Sequence, residues 1–142
     1  MSIISSLREY LLTCPLFENI PVTVDFLATT PTEGSIEGVP VPYVLKSYTD
    51  GSSLCRYQFI VAMRFPWIGD GSEGLRSSEW FEQLSDWFDK ESDKGNLPVL
   101  PPCMTAVKIQ ALPNRFGFDG KNSSVRYQMI CGLTFFKRKD DF

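Results

Sequence analysis

The side chains that do chemistry near neutral pH are sparse in this chain, and one type is missing: the 142 residues include no histidine. Histidine is the commonest general base in that range and the usual partner of a nucleophilic serine or cysteine, so triad chemistry lacks its ordinary proton acceptor. Carboxylates are plentiful, but Glu79, Glu82, Asp86, Asp89 and Asp93 recur at helical spacing, as a solvated helix face does. Paired-acid hydrolysis needs two inward-facing carboxyls across a cleft, and the spacing offers no such pair. Cys14, Cys55, Cys103 and Cys131 are scattered without a CxxC pair. They predict free, mostly buried thiols and no metal site.

Gly69-Asp70-Gly71-Ser72-Glu73-Gly74 fits the dinucleotide-binding spacing and lies between a strand-like and a helix-like run. That motif works by aiming backbone N–H groups and a helix N-terminus at a pyrophosphate. Asp70 and Glu73 would set two carboxylates beside an anion, and the following strand ends Gln110-Ala111-Leu112-Pro113 with no acid for a ribose. A surface loop is the better reading, and no cofactor is expected. Asn122-Ser123-Ser124 fits a glycosylation sequon but reads as a turn.

The elements that carry these residues follow from periodicity. Ile3, Ile4, Leu7, Leu11 and Leu12 form a helical stripe that ends at Cys14-Pro15, because the residue before proline is pushed out of the helical region. Val22, Val24 and Phe26 alternate with polar residues as a strand does. Residues 28–42 read as a loop with a short strand at 35–39. Two β-rich runs, 44–48 and 55–65, flank Asp50-Gly51, a hairpin signal. A helix is expected from about Ser77 to Asp93, with Trp80, Phe81, Leu84, Trp87 and Phe88 as core anchors and Lys94-Gly95 as its stop. A strand at 105–112, a loop at 113–124 and a long last strand at 125–137 complete the chain. Consecutive strands with tight turns favour antiparallel pairing, and two helices with apolar stripes would cover one sheet face. The expected fold is a two-layer α+β domain over residues 1–142, with a mainly antiparallel sheet, two helices on one face and a charged tail at 137–142.

With 43% hydrophobic residues the chain is too apolar to be disordered, and at this length it can bury a core without a disulfide or metal. A net charge of −3 gives no support to nucleic-acid binding, which needs a basic face. Residues 1–10 show no secretion-signal order, and no run reaches the ~18 apolar residues of a membrane helix. A soluble protein made in a cytoplasm is expected.

Several segments resemble, in order, a family of small proteins from phages of Gram-positive hosts, described as minor capsid or tail-terminator proteins. They are Tyr10-Leu11-Leu12-Thr13-Cys14-Pro15-Leu16, Val24-Asp25-Phe26-Leu27, Ser35-Ile36-Glu37 and Lys46-Ser47-Tyr48-Thr49-Asp50-Gly51-Ser52-Ser53-Leu54. Tyr57-Gln58-Phe59, Ala62-Met63-Arg64, Trp80-Phe81, Asp86-Trp87, Lys94-Gly95-Asn96-Leu97-Pro98, Arg126-Tyr127-Gln128-Met129 and Phe135-Phe136 continue it. The resemblance spans nearly the whole chain, though each piece is short and none is a catalytic motif. The chain departs from the family in Phe65–Arg76, where glycines replace helix formers, and in the tail Lys137–Phe142.

The resemblance implies a structural virion protein with no enzymatic activity. It would assemble as a ring, expected to be hexameric, at the head-proximal end of the tail tube. There it would stop tube polymerisation and join the tail to the head connector. Its partners would be further copies of itself, the tail tube protein and the head–tail connector protein. No membrane and no sequence-specific nucleic acid are implied, DNA at most threading the ring. Localisation would be the virion tail, assembled in the host cytoplasm. A head-completion or minor capsid protein at the head–tail junction is the alternative. Members are sometimes misnamed chloramphenicol resistance proteins, but acetyl transfer of that kind would need a catalytic histidine. Rings need head-to-tail interfaces, for which sheet edges and the long loops 29–42, 65–74 and 113–124 are candidates. Aromatics and arginines dominate interface hot spots, so Trp67, Arg115, Phe116 and Phe118, with Arg8, Arg64 and Arg76 as rim charges, are the expected contact residues.

Overall fold

The structure, a computed structural model, describes residues 2–17, 22–24, 34–38, 43–66, 72–121 and 124–138. The elements run α1 (Ile3–Leu11), a short 3-10 turn at Pro15–Phe17, β1 (Val22–Val24), β2 (Gly34–Gly38), β3 (Tyr43–Ser47), β4 (Ser53–Pro66), α2 (Ser72–Lys94), β5 (Met104–Lys121) and β6 (Ser124–Lys137). The strands form one sheet in the order β1-β2-β4-β6-β5, with β3 pairing the start of β4 beside β2. Only β1 and β2 run parallel among the described pairs. Both helices lie on one face, so the fold is the two-layer α+β arrangement expected.

Each boundary has a local cause. Ser2 caps α1 through a reciprocal box with Ser5, satisfying two otherwise orphaned donors. Gly95 ends α2 at φ 78, where its N–H reaches the Ser92 carbonyl and the Asn96 N–H reaches the Glu91 carbonyl. That is the Schellman arrangement, open to glycine because it lacks a Cβ. Asp50-Gly51 sits in a three-residue loop closed by Tyr48 N–H to the Ser52 carbonyl at 2.9 Å, with Gly51 at φ 92 and the Asp50 carboxylate holding the Ser52 N–H.

The core lies between the helices and one sheet face. Leu7 and Leu11 of α1 and Phe81, Leu84 and Phe88 of α2 are buried against Phe59, Val61, Ile109, Cys131, Leu133 and Phe135. Register explains the choice: Tyr57 opposes Leu133, Phe59 opposes Cys131 and Val61 opposes Met129, so alternate residues present one apolar face. Tyr10 meets Trp87 at 5.1 Å between ring centroids, tying α1 to α2. Each of these large side chains contributes roughly 1.5–3 kcal/mol by leaving water.

Three expectations are corrected. First, α2 begins at Ser72, before the expected Ser77, and β4 runs on to Pro66, so both ends of the expected loop at 65–74 belong to regular elements, while 67–71 lie outside the described residues. Ser72, Glu73 and Gly74 of the glycine-rich motif are therefore helical, while its first three residues lie outside the described set, as does Trp67. Second, β5 continues to Lys121, so Arg115, Phe116 and Phe118 stand on a strand and not in a loop. Pro113 is tolerated because pairing with β6 shifts register between Ala111 and Phe116, an irregularity on an edge strand. Third, the expected tail begins too early: Lys137 is in β6, and the Arg138 N–H donates to the Cys103 carbonyl at 2.8 Å.

Two backbone sites give predictions of opposite sign. A Cβ at Gly38 would overlap the hydroxyl of buried Tyr57, so Gly38→Ala should destabilise by about 1–3 kcal/mol. Cys103 follows Pro102 in a turn closed by Met104 N–H to the Pro101 carbonyl, and it holds φ 72, a conformation suited to glycine. Cys103→Gly should therefore stabilise by about 1 kcal/mol. Denaturant unfolding of both variants checks the pair.

Candidate functional site

The concave features are shallow and chemically poor. One depression of about 270 Å³ lies between α1 and the segment after α2, lined by Ser6, Glu9, Tyr10, Thr13 and Asn96–Val99. Its phenol is committed: Tyr10 Oη donates to the Asn96 carbonyl at 2.9 Å. Burial chiefly, with Glu91 and Cys14 adding to it, pushes the Tyr10 pKa up and keeps the group protonated. Burial likewise pushes up the Cys14 and Cys131 thiols, which disfavours the nucleophilic thiolate. Thr13 Oγ1 donates back to the Tyr10 carbonyl, and Ser6 Oγ is buried without a hydrogen-bond partner. Two further depressions are mostly open to solvent: one of about 230 Å³, where Gln83, Asp86 and Lys90 join Pro15, Leu16 and Trp87, and one of about 320 Å³, lined mostly by apolar residues from Gly95 to Ala106. Among the described residues no group of three or more His, Cys, Asp or Glu could hold a metal, and no helix is long and apolar enough to cross a membrane.

Surfaces offer more than cavities. Two helices cover one side of the sheet, and no described element packs on the other. On that open face the register lays out rows across the strands: Lys46, Leu54, Phe136 and Thr105; then Arg56, Thr134 and Lys108; then Gln58, Gly132 and Gln110. Tyr48 leaves β3 39% exposed, packs on Phe136 at 6.0 Å between centroids, and lies under Lys46 Nζ at 5.4 Å. Arg56 is half-buried, and its Nε is buried without a hydrogen-bond partner. β3 is also an apolar edge, with Val44 57% and Leu45 43% exposed.

The two edges of the sheet differ. β5 is long, but Ser92 of α2 bonds both main-chain groups of Ile109, accepting from its N–H at 3.1 Å and donating to its carbonyl at 3.0 Å. Because Ile109 opposes Leu133 on β6, those groups point away from the sheet, and Ser92 closes the edge there. Irregular pairing at Ala106–Lys108 further interrupts this edge. β3 has no such guard among the described residues.

The residues expected at a contact surface are only partly gathered. Arg8 is used internally: its Nε donates to the Val22 carbonyl at 3.0 Å, tying α1 to β1. The register sets Arg64 opposite Arg126, which opposes Asp119, and sets Phe116 and Phe118 opposite Met129 and Tyr127. Arg64, Phe116 and Phe118 therefore share one end of the sheet, with Arg115 at the register shift beside them, while Arg76 is on α2. Lys46, Arg56 and Lys108 were missed. Their signal was a cation at solvent-parity positions of three strands, which becomes a patch only once pairing order and register are known.

Ser92→Ala would strand two main-chain groups of a fully buried residue, Ile109. The expected cost is about 1–3 kcal/mol, with faster hydrogen exchange at the Ile109 amide. Unchanged exchange there would show that the Ser92 contact does not protect the edge.

No protein-family model matches the chain, and no curated protein sequence matches it.

Proposed function

We propose that the protein is a tail-terminator subunit: copies of it close into a ring, taken as hexameric, on the head-proximal end of a phage tail tube. The ring stops tube polymerisation and presents a surface to the head connector. The observation that carries this reading is the run of segments from Tyr10 to Phe136 that resembles the tail-terminator family in order along nearly the whole chain. The physical form supports it. A sheet with one face on which no described element packs, and an exposed apolar edge, suits assembly, since sheet edges can pair through their main chains. In the depression beside α1 the Tyr10 phenol is hydrogen-bonded and held protonated, and the reading rests on the surfaces.

Deleting the gene tests this directly by electron microscopy of lysates. A terminator leaves tails of uncontrolled length when absent. Normal tails with leaky or empty heads would instead assign the chain to head completion, and unchanged particles would remove it from both roles.

A further inference from the structure

Charge is segregated between the two layers. The strands carry eight lysines and arginines against two acids, whereas α2 carries seven acids against three bases. On α2, Glu82, Asp86, Asp89 and Asp93 are all exposed and fall on one stripe about 60° wide, given the 100° turn per residue. Like charges at these spacings disfavour the helix by a few tenths of a kcal/mol per pair. On the other layer, Lys46, Arg56 and Lys108 lie diagonally across the open sheet face around the apolar Leu54 and Phe136.

We propose that the open sheet face at Lys46, Arg56 and Lys108 receives the acidic α2 stripe of a second copy of this chain. The dimensions agree. With strands about 4.8 Å apart and about 3.3 Å per residue, Lys46 to Lys108 spans about 16 Å. At 1.5 Å per residue, Glu82 to Asp93 also spans about 16 Å, so the helix would lie across the four strands. The contact joins unlike surfaces on opposite layers, so every copy keeps one free donor and one free acceptor face, the head-to-tail pattern from which rings are built. The proposal rests on the ring reading and names the patches that ring would use. A second copy is favoured over a polyanion because the complementary stripe has matching length and is present on every subunit.

The test uses the full chain in sedimentation velocity, with and without tail tubes, at about 0.1 M and about 1 M salt, where screening lengths differ about threefold. One variant carries Lys46→Glu and Lys108→Glu, the other Asp86→Lys and Asp89→Lys. All four positions are exposed, and circular dichroism checks that both variants fold. Each variant alone should weaken self-association at least about tenfold, high salt should do the same to the unchanged chain, and an equimolar mixture of the variants should recover. Association unaltered in either variant overturns the assignment while leaving the ring reading intact, and the deletion phenotype judges that reading separately. An unchanged chain that stays monomeric even with tubes present sinks both. Loss of binding to a thymidine oligonucleotide in the lysine variant, with self-association unmoved, would assign the face to a polyanion instead.

Discussion

A six-stranded sheet has two faces, and the helices among the described residues cover one. The seating of Phe81, Leu84 and Phe88 on the face made by Phe59, Cys131, Leu133 and Ile109 decides which one. Once those side chains are buried, α2 must lie along β4, β6 and β5, its acidic stripe must point outward, and the opposite face is left to a mixture of cationic, polar and apolar side chains, Leu54 and Phe136 among the last. Everything that could meet another molecule follows from that one-sided burial. The same packing brings Ser92 to the β5 edge, so a single helix supplies the core, guards an edge and presents a charged surface.

The frame beneath it is the fourteen-residue antiparallel ladder between Ser53–Pro66 and Ser124–Lys137. A ladder of that length fixes register strongly, because a slip by one residue would move Phe59, Val61, Leu133 and Phe135 to the open face. Fixed register is also what turns isolated cations into a patch. Lys46 and Arg56 come from the two strands of one hairpin and Lys108 from a strand far along the chain, yet their row positions differ by no more than two residues along the strands.

The surface carries the consequences of net charge more subtly than composition suggests. An overall −3 argues against a basic binding face, but the excess acid resides on α2 and in the segments outside the strands, and the strands are cationic. A balance summed over a chain says nothing about how it is partitioned between layers. Opposite signs on opposite layers favour contacts between unlike surfaces over like ones. The buried thiols and the committed Tyr10 phenol belong to the interior's economy of satisfied polar groups, and they add no reactivity to this picture.

Local signals were enough for the α+β class, the helix stripes, the Gly95 stop and the hairpin at Asp50-Gly51, because each is set by spacing or by a backbone angle that few residues adopt. Local signals misread β5 as ending before Pro113, since the residues beyond it lack strand propensity and are held by pairing with β6. They also misread the start of α2, where Gly74 weakens a helix that nonetheless begins at Ser72. Arg8 looked like a surface charge until α1 packed beside β1 and brought the Val22 carbonyl within reach. Residue types by themselves determined what could be buried and where helices and hairpins stop. Tertiary structure alone decided which polar residues stand together, because strand order and register are long-range choices that no window of sequence contains.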